Sequence, residues 1–68
     1  MAESVYKIVE IVGTSEKSWD TATAAAVAKA SQSLRDLRVA EVTKLDVTIE
    51  DGKVKYYRAR ITLSFKYE

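Results

Sequence analysis

The sequence predicts an α+β fold, a single domain over 1–68 with three antiparallel strands packed on one helix in the order β-α-β-β. Three observations predict it. Strand-like patterns occupy both ends of the chain, an alanine-rich stretch with helical spacing lies between them, and Asp51-Gly52 separates the last two strand patterns. Apolar residues at three- and four-residue steps mark one face of a helix, whereas period-two alternation marks a strand.

The first strand is expected over Val5 to Val12 (VYKIVEIV), rich in β-branched residues and broken by Lys7 and Glu10. That composition suits a strand covered on much of both faces. Gly13-Thr14-Ser15 is expected to end it, because glycine and hydroxyl side chains favour turns. Ser18 then stands where an N-cap belongs, before Trp19 and the acidic Asp20. Capping also explains Ser15 and Thr21 more simply than a role as metal oxygens does.

From Trp19 to about Leu37 the spacing is helical. Trp19, Ala22, Ala26, Ala30, Leu34 and Leu37 form one apolar stripe with Val27 beside it. Alanine dominates the stripe, so the helix can approach its neighbour closely.

Arg38 to Glu50 returns to alternation, which assigns Val39, Glu41, Thr43, Leu45, Val47 and Ile49 to one face. Ala40, Val42, Lys44, Asp46 and Thr48 fall on the other. Asp51-Gly52 signals a two-residue hairpin, since both residues accept the positive φ of a type I′ turn. In the last strand, Lys53 to Tyr67, an apolar face (Tyr57, Ala59, Ile61, Leu63, Phe65, Tyr67) alternates with a polar one (Arg58, Arg60, Thr62, Ser64, Lys66). Such alternation fits an antiparallel sheet with one covered face.

At 68 residues a lone hydrophobic core is marginal. Small domains compensate with disulfides, a metal or oligomerisation. The chain has no cysteine and no histidine, which excludes disulfides, thiolate zinc and the commonest general base. Self-association is the compensation that remains, and strands of this length should reach past the helix to neighbouring subunits. Without a histidine base no serine triad forms, and two glycines, Gly13 and Gly52, build no phosphate loop. The chain is therefore expected not to be an enzyme.

A net charge of +1 provides no strong field for nucleic acid or anionic lipid. No apolar run approaches the ~20 residues of a membrane span. The start Met1-Ala2-Glu3-Ser4 lacks the pattern of a signal peptide, so a cytoplasmic location is expected. Trp19 is expected to pack the helix start on the sheet. Arg58, Arg60 and Lys66 are expected to pair with Glu41, Asp46 or Glu50 across strands or subunits.

Over residues 4–67 the chain resembles the dodecin family. The resemblance is carried by VYKIVEIVGTS (5–15), by the alanine-rich helix running into LRVAEV (37–42), and by DGKVKYYRARITLSFK (51–66). It implies a β-α-β-β subunit of a hollow homododecamer, many of whose relatives bind flavins at contacts between subunits. Flavin-binding dodecins carry a tryptophan just before the AEV segment, where symmetry-related copies sandwich the isoalloxazine ring; this chain has Val39 there. A glutamine that bonds the flavin's polar edge is matched by Arg58, and FMN-binding members often have an arginine where Asp46 stands. An aliphatic Val39 forgoes stacking worth ~1–3 kcal/mol per contact in comparable sites. Asp46 would repel a phosphate.

The run TSEKSWD (14–20), the segment RVAEV (38–42), Asp46 and the stretch SFK (64–66) resemble the calcium-dodecin subgroup. Calcium takes six to eight oxygen ligands, and a shell could gather one carboxylate from each of several subunits. Asp46 is the first candidate ligand, followed by Glu41, Glu50 and Asp51. Three readings stand: a shell holding calcium, a shell holding FMN or riboflavin in an altered pocket around Val39 and Arg58, and an assembly with no ligand. The first is the leading expectation.

Overall fold

The computed structural model describes residues 3–66. Strand β1 (Tyr6–Ser15) leads to helix α1 (Trp19–Ala30), and β2 (Leu37–Glu50) and β3 (Lys53–Lys66) follow as a long hairpin. The three strands form one antiparallel sheet in the order β1-β3-β2, with α1 laid mainly across β1 and β3. The expected β-α-β-β fold is the one observed. Tyr67, expected on the apolar face of the last strand, lies outside the described residues.

Asp51 and Gly52 join β2 to β3 with φ of 54° and 75°. Both angles lie in the left-handed region that a type I′ turn requires. At the start of α1, the Ser18 hydroxyl accepts the Thr21 N–H at 3.1 Å and donates to the Thr21 hydroxyl at 2.9 Å. The predicted N-cap is in place.

Two element boundaries differ from expectation. β1 does not stop at Val12 but runs on through Ser15, pairing Gly13 with Ala59, Thr14 with Arg58 and Ser15 with Tyr57. Gly13 is used for close approach rather than for a turn. A Cβ there would collide with the Ala22 carbonyl oxygen and lie 2.9 Å from the Ala26 Cβ. The turn falls instead at Glu16–Lys17, where the Ser15 hydroxyl accepts the Lys17 N–H.

Helix α1 ends at Ala30 rather than near Leu37. Beyond it the chain tightens, with Gln32 and Ser33 donating to the carbonyls of Lys29 and Ala30, three residues back. The Ser31 hydroxyl bonds the Ala28 carbonyl, and Asp36 adopts φ 59°, which no right-handed helix admits. Leu34 and Leu37 still pack against the core, but from a turn and from the first residue of β2.

The core consists of Ala22, Ala26 and Ala30 of the helix against Ala59, Ile61 and Leu63 of the central strand. Val9, Ile11 and Val27 close around it. Residues opposite one another in an antiparallel pair share a face. The odd-numbered residues of β3 from Tyr57 to Phe65 therefore point toward the helix, and Arg58, Arg60, Thr62 and Ser64 point to the open face. β1 was expected to be covered on much of both faces. In the single chain Ile8 and Val12, opposite Ser64 and Arg60, lie exposed on the open face.

The chain is extended. Its radius of gyration is 14.1 Å, where a compact chain of this length has about 11 Å. It exposes 5272 Å², about 1,000 Å² more than the roughly 4,300 Å² expected of a compact monomer of its mass. The excess comes from a hairpin that outruns the helix, with Ile49 70% and Val54 51% exposed near its tip.

Candidate ligand-binding surface

Strand β2 departs from regular pairing at three places, between Leu37 and Val39, between Val42 and Lys44, and between Thr48 and Ile49. The middle irregularity reorganises the candidate residues. Thr43 has no cross-strand partner in the register, and its hydroxyl bonds the Arg60 carbonyl at 3.1 Å. One extra residue in a strand shifts every later side chain to the opposite face. Val39 and Glu41 oppose Ser64 and Thr62, while Lys44 and Asp46 oppose Arg60 and Arg58. Strict alternation assigned Val39 and Glu41 to one face and Asp46 to the other. The bulge at Thr43 corrects this, and all three share the open face with Arg58.

Asp46 and Arg58 sit directly opposite each other. The guanidinium grips the carboxylate as a fork, with Arg58 Nε to Asp46 Oδ1 at 2.8 Å and an Arg58 terminal nitrogen to Oδ2 at 3.4 Å. The expected cross-strand pairing of Arg58 is thus present within one chain. Both partners remain open to solvent, with side chains 37% and 53% exposed, so the pair contributes no more than about 1 kcal/mol.

Behind this pair stands the helix start. The Trp19 indole N–H donates to the Asp46 carbonyl at 3.0 Å. Its ring meets Tyr57 edge-on with centroids 5.1 Å apart. Edge-to-face contact suits the ring quadrupoles. Trp19 does pack the helix start on the sheet as expected, and it also anchors the segment of β2 that presents Asp46. The sequence carried no sign of that second role, because the two residues are 27 positions apart.

The remaining predicted residues lie elsewhere along the hairpin. Val39, 58% exposed, is opposite Ser64, and at about 3.3 Å per residue it is ~20 Å from Arg58. Glu41, opposite Thr62, is about 13 Å from Asp46 by the same measure. Glu50, opposite Lys53, pairs with Lys55 at 3.5 Å near the tip. Asp51 forms the turn itself. Among the described residues no three acidic side chains gather where a metal ion could sit.

The concavities tell the same story. Val39 borders one of about 150 Å³ with Val27, Leu37 and Leu63, and Glu50 borders another near the tip. Neither includes Asp46 or Arg58. The larger hollows, about 410 and 430 Å³, lie beside the helix and beside the loop after it, and none of the predicted residues lines them.

The donor chemistry is nonetheless that of a hard-cation ligand. A carboxylate has about four lone-pair sites. Arg58 occupies two at Asp46, and the half-exposed side chain keeps the others toward solvent. Six to eight oxygens exceed what one chain places at any point of this surface.

Comparison with known proteins agrees with the fold and the residues. The family model described as Dodecin matches residues 5–68. The chain is 43% identical over 63 residues to the calcium dodecin of Mycobacterium tuberculosis, covering 93% of this chain and 89% of the relative. It is 42% identical over 64 residues to the dodecin of Thermus thermophilus, covering 94% and 93% of the two chains. The solved structure of dodecin from Streptomyces coelicolor superposes with a TM-score of 0.93 at 41% identity, covering 100% of this chain and 97% of that one. This chain belongs to the dodecin family.

Proposed function

We propose that this chain is the subunit of a homododecameric shell that works in the cytoplasm and holds a small ligand without transforming it. A calcium-type cation is the preferred ligand over a flavin. The observation that carries the proposal is the dispersal of the candidate residues along one bare sheet face. Val39, Glu41 and the Asp46–Arg58 pair share that face with exposed Ile8 and Val12, but Val39 and Glu41 stand ~20 Å and ~13 Å from the pair, so further copies are needed to bring them to it. The marginal six-residue core and the surplus exposed surface support association by the same physics.

Two features favour the cation. Val39 presents a branched aliphatic side chain where ring stacking needs a π-face. The 43% identical relative is named a calcium dodecin, and Asp46 offers a hard carboxylate oxygen on the open face, where Glu41 also lies. No nucleic acid or membrane enters the proposal, and no helix among the described residues is long and apolar enough to cross a bilayer.

The test combines two measurements on the purified protein. Light scattering should report a mass of twelve chains; a monomer would end the shell reading. Calorimetric titration of EDTA-treated protein with calcium should release or absorb heat that Asp46→Ala diminishes. Absence of heat in the wild type, with an unchanged melting temperature, would leave a purely structural assembly. A yellow preparation, or FMN fluorescence quenched far more strongly than calcium binds, would move the ligand to flavin.

A further inference from the structure

Two irregularities of the β2–β3 hairpin cancel each other. Thr43 is an extra residue in β2 and Lys55 an extra residue in β3, each passed over by the register. Between them lies a block of five pairs, from Lys44 opposite Arg60 to Thr48 opposite Tyr56. On either side of the block, Val39 to Val42 and Ile49 to Glu50 pair with β3 in one common frame, the frame of the Asp51-Gly52 turn. The block alone is one residue out of step.

A regular hairpin with the same turn is therefore open to this chain. Sliding the block by one residue heals both bulges and leaves the turn and both flanks untouched. Leu45 then opposes Arg58, while Lys44 and Asp46 oppose Ala59 and Tyr57 on the helix side. The side-chain pattern opposes that slide, because helix-side apolar residues skip three positions at each bulge, from Val42 to Leu45 and from Val54 to Tyr57. Three bonds from side chains to backbone belong to the observed frame. The Thr43 hydroxyl donates to the Arg60 carbonyl at 3.1 Å, and the Thr48 hydroxyl accepts the Tyr56 N–H at 3.0 Å. Those two stand at the bulges, and the Trp19 indole grips the middle of the block through the Asp46 carbonyl at 3.0 Å.

We infer that the block is a register element with two frames, and that Thr43 and Trp19 are the positioning residues that hold it where Asp46 faces Arg58. The inference deepens the proposed ligand-holding role and rests on it for its significance. The frame decides whether the open face carries the Asp46 carboxylate or the Leu45 side chain. The ion pair of Asp46 with Arg58 is exposed and sets the frame only weakly. The bonds of Thr43 and Trp19 each weigh about fivefold in the balance between frames.

The experiment reads the frame with cysteine pairs in the full chain, which has no cysteine of its own. Lys44→Cys with Arg60→Cys is the inner pair, directly opposed in the observed frame and on opposite faces after a slide. Glu41→Cys with Thr62→Cys is the outer pair, opposed in both frames. Directly opposed strand residues lie within disulfide reach. Each protein is refolded in a glutathione buffer, and the disulfide within one chain is measured by mass spectrometry. Both pairs should close in the otherwise unchanged chain. Thr43→Val together with Trp19→Phe should shift the balance about 25-fold toward the regular frame, abolishing the inner disulfide and sparing the outer one. Thr43→Ser, which keeps the hydroxyl, should preserve both.

An inner disulfide that survives Thr43→Val with Trp19→Phe would overturn the inference. Loss of both disulfides together would overturn it as well, because Thr43 and Trp19 would then only support the hairpin at large. So would an inner pair that fails to close in the otherwise unchanged chain, or a Thr43→Ser protein that behaves like Thr43→Val. The reporter involves no ligand, so it fails separately from the proposed function. If calorimetry shows no calcium binding while the disulfides behave as expected, the cation reading falls and the two-frame block stands.

Discussion

Replacing Gly13 by alanine would put one methyl group into the seam between β1 and α1, and the structure gives the cost. The new Cβ would overlap the Ala22 carbonyl oxygen and lie 2.9 Å from the Ala26 Cβ and 3.1 Å from the Ala22 carbonyl carbon. Carbon atoms pack best at ~3.5–4.0 Å, so the helix has to retreat by about 0.6–1 Å at Ala26 alone. Ala22 and Ala26 are core residues, and the atoms in the way at Ala22 are backbone, which no rotamer change can move. Overpacking of this kind costs about 1–3 kcal/mol, here at the upper end. Against it stands a gain of about 0.5–1 kcal/mol, because alanine loses less chain entropy than glycine in a strand.

The net expectation for Gly13→Ala is about 2 kcal/mol of destabilisation, or a melting temperature lower by roughly 8–16 °C. Urea and thermal unfolding followed by circular dichroism measure it, at one fixed chain concentration because assembly contributes to apparent stability. Gly52→Ala serves as the contrast. No atom lies within 4 Å of a Cβ there, and its φ of +75° leaves only the left-handed strain of about 1–2 kcal/mol. A Gly13→Ala protein as stable as wild type, or more so, would refute the close-approach argument.

Ser18→Ala removes the hydroxyl that caps α1 and should lower unfolding free energy by about 1 kcal/mol, as read from the same urea curves. Trp19→Phe keeps a ring against Tyr57 but loses the bond to the Asp46 carbonyl; a cost of about 0.5–1.5 kcal/mol in the same unfolding assay is expected. Ile8→Lys places a charge on the bare sheet face, outside the core. It should reduce the mass seen by light scattering while leaving helix and strand signals in circular dichroism intact, and an undiminished assembly would show that this part of the face is not an interface.

Much of the fold was legible because its signals are local. The type I′ hairpin at Asp51-Gly52, the cap at Ser18 and the alternation of β3 each depend on residues a few positions apart, and each is found where expected. The alanine stripe was equally legible at Ala22, Ala26 and Ala30. Its extension to Leu34 and Leu37 was not, because three-residue spacing looks the same whether a helix or a turn supplies it. Gly13 shows the same limit: a turn and a close contact both favour glycine, and only the helix lying over β1 tells them apart.

The candidate site divides along the same line. By itself the sequence determined the chemistry on offer: carboxylates at Glu41, Asp46 and Glu50, a guanidinium at Arg58, an aliphatic side chain at Val39, and no cysteine or histidine to support other reactions. Only the tertiary structure decided which of these share a face and which touch. A bulge at Thr43 carries Asp46 round to the side of Val39 and Glu41, and the β2–β3 register brings Asp46 onto Arg58. The helix start then holds that point through Trp19. The physical reason is that register and bulges are set by pairing energy summed over whole strands and by the packing of the helix on them, and such sums leave no mark on any short stretch of sequence.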